Sequence, residues 1–119
     1  MEDPTQHEQA SPAVRKRVQD SFDRQGLMSH LGARVAHIGP GRVHLVLPVR
    51  PEVTQQHGYV HAGATSAIAD SAGGYAVLTL FDRTLTVCQL EVYGVQPDGT
   101  RKLVANGQQT LIRVNRPAG

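Results

Sequence analysis

The stretch from Ala62 to Leu80, AGATSAIADSAGGYAVLTL, carries a single charged side chain, Asp70. Ala, Ile, Val and Leu fall on all sides of the helix that this composition favours, and almost nothing in it is solvating. The run therefore reads as a buried helix around which the rest of a 119-residue chain is arranged. That length supports one domain with a real core and leaves no room for a second. Asp70 is then the residue to explain, because a carboxylate withdrawn from water must find hydrogen-bond partners, become protonated or face a cavity. No Lys or Arg lies between Glu52 and Arg83, so a local salt bridge is excluded. Gly73 and Gly74, one turn later, leave space for a substrate or a second helix to approach. The plainer alternative is a bond to a nearby Ser or Thr, or exposure on a helix less buried than its composition suggests.

The remaining segments supply strands and one more helix. SPAVRKRVQDSFDRQG predicts a helix with Ser11 as N-cap, Pro12 at the first helical position, Val14, Val18 and Phe22 on one face, and Gly26 as the stop. GARVAHIGPGRVHLVLPVRPE predicts two strands joined at Gly39-Pro40-Gly41, with Val43, Leu45, Leu47 and Val49 alternating along the second. RTLTVCQLEVYGV and RKLVANGQQTLIRV, separated by the turn residues QPDGT, predict an antiparallel hairpin. Residues 1–10 read as a flexible lead-in and 11–119 as a single domain. The outline is α+β, an antiparallel sheet wrapped around one central helix.

Composition narrows the function. The formal net charge is +2 and aromatic residues make up 4% of the chain, which disfavours a nucleic-acid surface. One cysteine, Cys88, permits neither an internal disulfide nor a thiolate metal cluster. The polar, acidic start lacks the pattern of a secretory signal, and no apolar segment is long and clean enough to span a bilayer, so a soluble cytoplasmic protein without nucleic-acid or membrane partners is expected.

The loop QQHGYVHAG brings Gln55, Gln56, His57 and His61 to the start of the long helix. Free amides at a helix start carry partial positive charge, so those near Ala62 and Gly63 are suited to a developing oxyanion. Together with Asp70 this outlines an acyl-transfer site. His57 and His61 have a spacing that metal ligands use, but without a third nearby ligand a bond to the loop backbone is the stronger reading. Ala62 and Asp70 are separated by about 12 Å along a helix axis, too far for one carbonyl to touch both. If they share a reaction centre, two copies of the helix must run antiparallel, the amide of one chain meeting the carboxylate of the other.

Gly58, His61, Ala62-Gly63 and the helix acid Asp70, flanked by QGLMSHLGARV and RTLTVCQLEVY, resemble the hotdog-fold acyl-CoA thioesterases of the PaaI-like group. The resemblance covers about residues 22–81 and 83–114. It implies hydrolysis of acyl-CoA-type thioesters without a metal or redox cofactor, in a homodimer or dimer of dimers whose sites lie between subunits. Asp70 would be general base or nucleophile, Gln55 would orient the thioester or the water, and the Ala62 amide would be the oxyanion donor. Gly58, His61 and Gly63 would shape the substrate loop. Arg83 and Thr84, with Arg113 and Arg116, would be candidates for the nucleotide phosphates. Where such proteins continue after the helix with two further strands, this chain runs from YAVLTLF through Asp82 into RTLTV. That shortening leaves open a non-catalytic module that binds acyl thioesters or serves as an interaction domain. Hydration or dehydration of an acyl thioester is a further enzymatic alternative.

Overall fold

A computed structural model describes residues 8–80 and 85–112. The first helix, α1 (Pro12–Asp23), begins as its sequence dictates: Ser11 Oγ accepts from the Val14 amide at 3.3 Å and Pro12 occupies the first turn, where its missing N–H costs nothing. Its inner face is Val18, fully buried, and Phe22. Gly26 does not stop this helix. The chain turns at Arg24, whose N–H returns to Ser21 O, and Gly26 instead opens a second short helix, α2 (Gly26–Leu31). Gly32 ends α2 at φ +74°, a left-handed conformation that glycine adopts without a Cβ penalty. Met28 and Leu31 of α2 are buried.

Strands β1 (Arg34–Gly39) and β2 (Arg42–Val46) pair antiparallel through the Gly39-Pro40-Gly41 turn. Ile38 opposes Val43, both buried, while His37 opposes His44 on the other face. The expected alternation stops early: β2 ends at Val46, and Val49 is 72% exposed beyond it. Pro48 and Pro51 flank that point and have no N–H to extend a ladder. A single 3-10 turn, Pro51–Val53, leads on to the long helix α3 (Ala62–Leu78).

Beyond it β3 (Leu85–Val95) and β4 (Arg101–Ile112) form the expected antiparallel hairpin. Its turn is closed by Gln96 N donating to Thr100 O at 2.8 Å and by Thr100 N donating to Asp98 Oδ1 at 2.9 Å, with Gly99 at φ +87°. Helix α3 packs on β2 and on β3, so the expected arrangement of antiparallel strands against one central helix is present. Among the described residues the strands do not make one sheet. Each hairpin is a separate two-stranded sheet, one on either side of α3 in sequence. Ala10, at the end of the expected lead-in, is buried, and its N–H donates to Ile38 O at 2.9 Å.

Candidate active site

Between Val53 and His61 the chain folds back on itself. Thr54 and Val60 form an isolated antiparallel bridge, Gln55 N donates to Tyr59 O at 2.8 Å, and His61 N donates to Val53 O at 2.8 Å. Gly58 sits at φ +88°, where an L side chain would be strained, and its N–H closes the tip on Gln55 O at 3.0 Å. The effect is to deliver His61 to the N-cap position of α3. His61 Nδ1 accepts from the Gly63 amide at 2.7 Å, which requires that nitrogen to carry no proton. His61 thus bonds the backbone, as its loop position suggested. The Ala64 and Thr65 amides both turn to His61 O. Of the first-turn donors this leaves the Ala62 N–H without an acceptor among the described residues.

Gln55 Oε1 accepts from the His57 amide, which ties the carboxamide oxygen into the loop and leaves its Nε2 without a partner among the described residues. Beside this loop lies an open apolar cleft of about 290 Å³, walled by Leu27, Leu31, Val53, Ala64 and Ala67, with His61 and Gly63 at its edge.

Asp70 is exposed, and this corrects the expectation of a fully buried helix. Ala64, Gly73, Tyr75 and Ala76 are the buried residues of α3, whereas Ala62, Gly63, Ser66 and Asp70 are open to solvent. The hairpins and α1–α2 cover part of the helix circumference, and among the described residues none is laid over the remaining stripe of Gly63, Ser66 and Asp70, which helical spacing sets on one face. The Asp70 carboxylate is nevertheless held: Oδ1 accepts from Gln109 Nε2 on β4. The expected use of the paired glycines also needs revision. At Gly73 an added Cβ would lie 3.0 Å from Leu90 Cδ2 and against Gln109 Oε1, so the space there belongs to the β3–β4 hairpin and not to a substrate or second helix. Cys88 Sγ reaches Gly73 O at 3.6 Å from the same hairpin, and burial pushes its thiol pKa up. Gly74, by contrast, faces open space.

Two polar features were not read from the sequence. Gln109 follows Gly107 and precedes Leu111 on the inner face of β4, so a polar residue in the apolar phase of an alternating strand was the available signal. The other is a network that pins α3 to α1 and α2: Tyr75 Oη receives Gln25 Nε2 at 2.6 Å and lies 3.1 Å from Ser21 Oγ, and Ser71 Oγ donates to Gln25 Oε1 at 3.3 Å. Each such bond contributes roughly 0.5–1.5 kcal/mol net. Arg83, Thr84, Arg113 and Arg116 lie outside the described residues. Among the described residues no His, Cys, Asp and Glu side chains group in a way that would hold a metal ion, and no helix is long and apolar enough to cross a membrane.

No family model matches the chain. Among solved structures it is similar to a thioesterase family protein of Silicibacter pomeroyi, with a TM-score of 0.77 and 33% identity over 83% of this chain and 96% of that one. It also superposes on the E. coli PaaI protein of the phenylacetic acid degradation operon with a TM-score of 0.67, at 14% identity over 86% of this chain and 94% of that one, a likeness of fold alone. A candidate esterase of Halobacterium salinarum is 35% identical over 63 residues, which amounts to 50% of this chain and 42% of that relative. The chain therefore spans less than half the length of this curated relative. The architecture is the hotdog fold, and the chain belongs to the hotdog thioesterase family.

Proposed function

We propose that the protein is an acyl-CoA thioesterase, hydrolysing an acyl-CoA-type thioester to the free acid and CoA. The observation that carries this reading is the unengaged Ala62 amide at the head of α3, in a chain 33% identical to a solved thioesterase family protein. In the proposed reaction the thioester oxygen, as it gains charge, receives the Ala62 N–H, whose position at a helix start adds the favourable end of the macrodipole. Asp70 either takes a proton from the attacking water and passes it to the thiolate as the C–S bond breaks, or adds to the carbonyl itself, expelling the thiolate, which takes a proton from solvent, and leaving an anhydride that water then hydrolyses to the free acid. Gln55 orients the thioester or the water through its unengaged Nε2. Gly58 keeps the loop tight, and His61, by occupying the Gly63 amide, directs a ligand to Ala62. The acyl group lies in the cleft between α2 and α3, and Arg83 and Thr84 are assigned to the CoA end.

The separation of Ala62 and Asp70 along α3, about 12 Å, requires residues from two chains at one centre. We assign the exposed stripe of Gly63, Ser66 and Asp70 to an antiparallel contact with α3 of a second copy, in a dimer or a dimer of dimers built from single domains spanning 11–119. The separation of the two sheets favours one rival, a hotdog module that binds acyl thioesters without turnover.

Release of free thiol from a series of short acyl-CoA and aryl-CoA thioesters separates the two readings. Turnover is expected, and Asp70→Asn is expected to lower kcat by at least about 100-fold with its thermal midpoint unchanged. Undiminished hydrolysis in that variant refutes the assignment of Asp70, and binding without hydrolysis by the natural chain establishes the module.

A further inference from the structure

Gln109 stands in an unusual position for a strand glutamine. Its Nε2 donates to Asp70 Oδ1 across the gap between β4 and α3, while its Oε1 is buried without a hydrogen-bond partner among the described residues. A carboxylate can only accept, so the amide must turn its nitrogen to Asp70 and send its oxygen the other way. There the oxygen meets the bare Cα of Gly73, where any Cβ would collide with it. Leu90, opposite Gly107 on the paired strand, closes on the same glycine. The side chain is therefore fixed at both ends: one end by the carboxylate, the other by a slot that only glycine leaves open. Burying an amide oxygen unpaired is unfavourable, and a site that retains it gains something from the orientation of the other end.

We infer that Gln109 is a positioning residue for Asp70, setting which carboxylate oxygen faces the reacting thioester. The inference rests on the thioesterase reading above. With Oδ1 occupied by Gln109, Oδ2 is the oxygen left to take the proton from water or to attack the carbonyl. Asp70 is exposed and has no other hydrogen-bond donor among the described residues, so without Gln109 the carboxylate would sample several rotamers and present its reactive oxygen only part of the time. The last hairpin thus acts as a clamp on the helix acid.

The test is a double-mutant cycle read in kcat and KM. Gln109→Leu keeps the bulk against Gly73 and Leu90 but removes the donor; its kcat is expected to fall about 10-fold or more with KM little changed. In an Asp70→Asn background the same change is expected to have no further effect on the residual rate, because the residue it acts through is already gone. A merely structural Gln109 would lower both rates by the same factor, and that result overturns the inference, as does a Gln109→Leu kcat equal to that of the natural chain. If Gln109→Leu does not fold, Gln109→Glu, which preserves the shape and replaces the donor with an acceptor, is read by the same two criteria. Failure of the thioesterase reading is distinct, since it shows as binding without hydrolysis by the natural chain, before any variant is compared.

Discussion

The β1–β2 hairpin sets Arg34, His37 and His44 on the face away from Ile38 and Val43, with Arg34 and His44 exposed and His37 half-buried, whereas the β3–β4 hairpin turns out Leu85, Val87, Tyr93 and Val95, opposed by Leu103 and Ile112 on the paired strand. Both pack against α3 with their other face. In the first hairpin the inner pair, Ile38 and Val43, is buried and the outer pair is titratable, which is how a two-stranded sheet with one wet face is stabilised. In the second the inner positions are only half-buried and the outer ones carry large apolar side chains into solvent, Val95 at 67% and Ile112 at 69% exposure. An isolated two-stranded ribbon is marginal in water, and one with an exposed apolar face and two open edges is also a surface to be covered. The difference is that the first hairpin buries its apolar pair against the described chain, whereas the second leaves an apolar face that the described residues do not cover, the face the proposed assembly around α3 would use.

The largest effect should come from the inner face of the first hairpin. Ile38→Ala is expected to cost about 2–5 kcal/mol, and the matching change on the second hairpin, Ile112→Ala, no more than about 0.5 kcal/mol at low protein concentration. Urea unfolding measured at several protein concentrations checks both. If Ile112→Ala becomes costly only as concentration rises, the outer face is buried between copies; if it is costly at every concentration, the chain covers that face itself and the contrast fails.

A second pair of changes probes where α3 meets each environment. Gly73→Ala is expected to destabilise by about 1–3 kcal/mol, because the new methyl collides with Leu90 and Gln109 of the second hairpin. Gly74→Ala, one residue on and facing open space, is expected to stabilise a lone chain by up to about 1 kcal/mol through helix propensity. Thermal unfolding distinguishes the two signs, and equal signs would mean that the helix does not sit on the hairpin as described.

How far these features were legible follows from which forces set them. The caps and turns were readable because their causes are local: Ser11 before Pro12, the Gly-Pro-Gly turn and Asp98-Gly99 each specify their own backbone. The short helix α2 was not, since Gly26 reads equally as the end of one helix or the start of the next, and the choice is made by Met28 and Leu31 finding the core. The exposure of Asp70 was open in the sequence only as an alternative, for a related reason. An all-apolar helix signals burial without saying whether its own chain or another one does the burying. Gln109 was overlooked because its partner is distant in sequence, and only the register of β4 against α3 brings amide and carboxylate together.

The smallest expected effect is a pH dependence confined to the outer face of the first hairpin. Burial holds the His44 pKa below its ordinary value of 6.5, and electrostatic repulsion from His37, Arg42 and Arg101 pushes it in the same direction. The His37 and His44 rings are 5.1 Å apart across the strand pair. A proton therefore binds the unfolded chain more readily than the folded one, so this residue's contribution is present above about pH 6.5 and is lost as pH falls through the depressed folded value. His44→Gln should remove that slope: relative to the natural chain the variant gains stability between pH 7.5 and pH 5.5, and salt should screen only the part that comes from the neighbouring charges, leaving the part due to burial. Urea midpoints at those two pH values, at low and high ionic strength, decide it. Parallel pH profiles for the two proteins would mean that the outward histidine pair is solvated as freely as in an unfolded chain, and that the polar face of the first hairpin differs from the apolar face of the second in hydropathy alone.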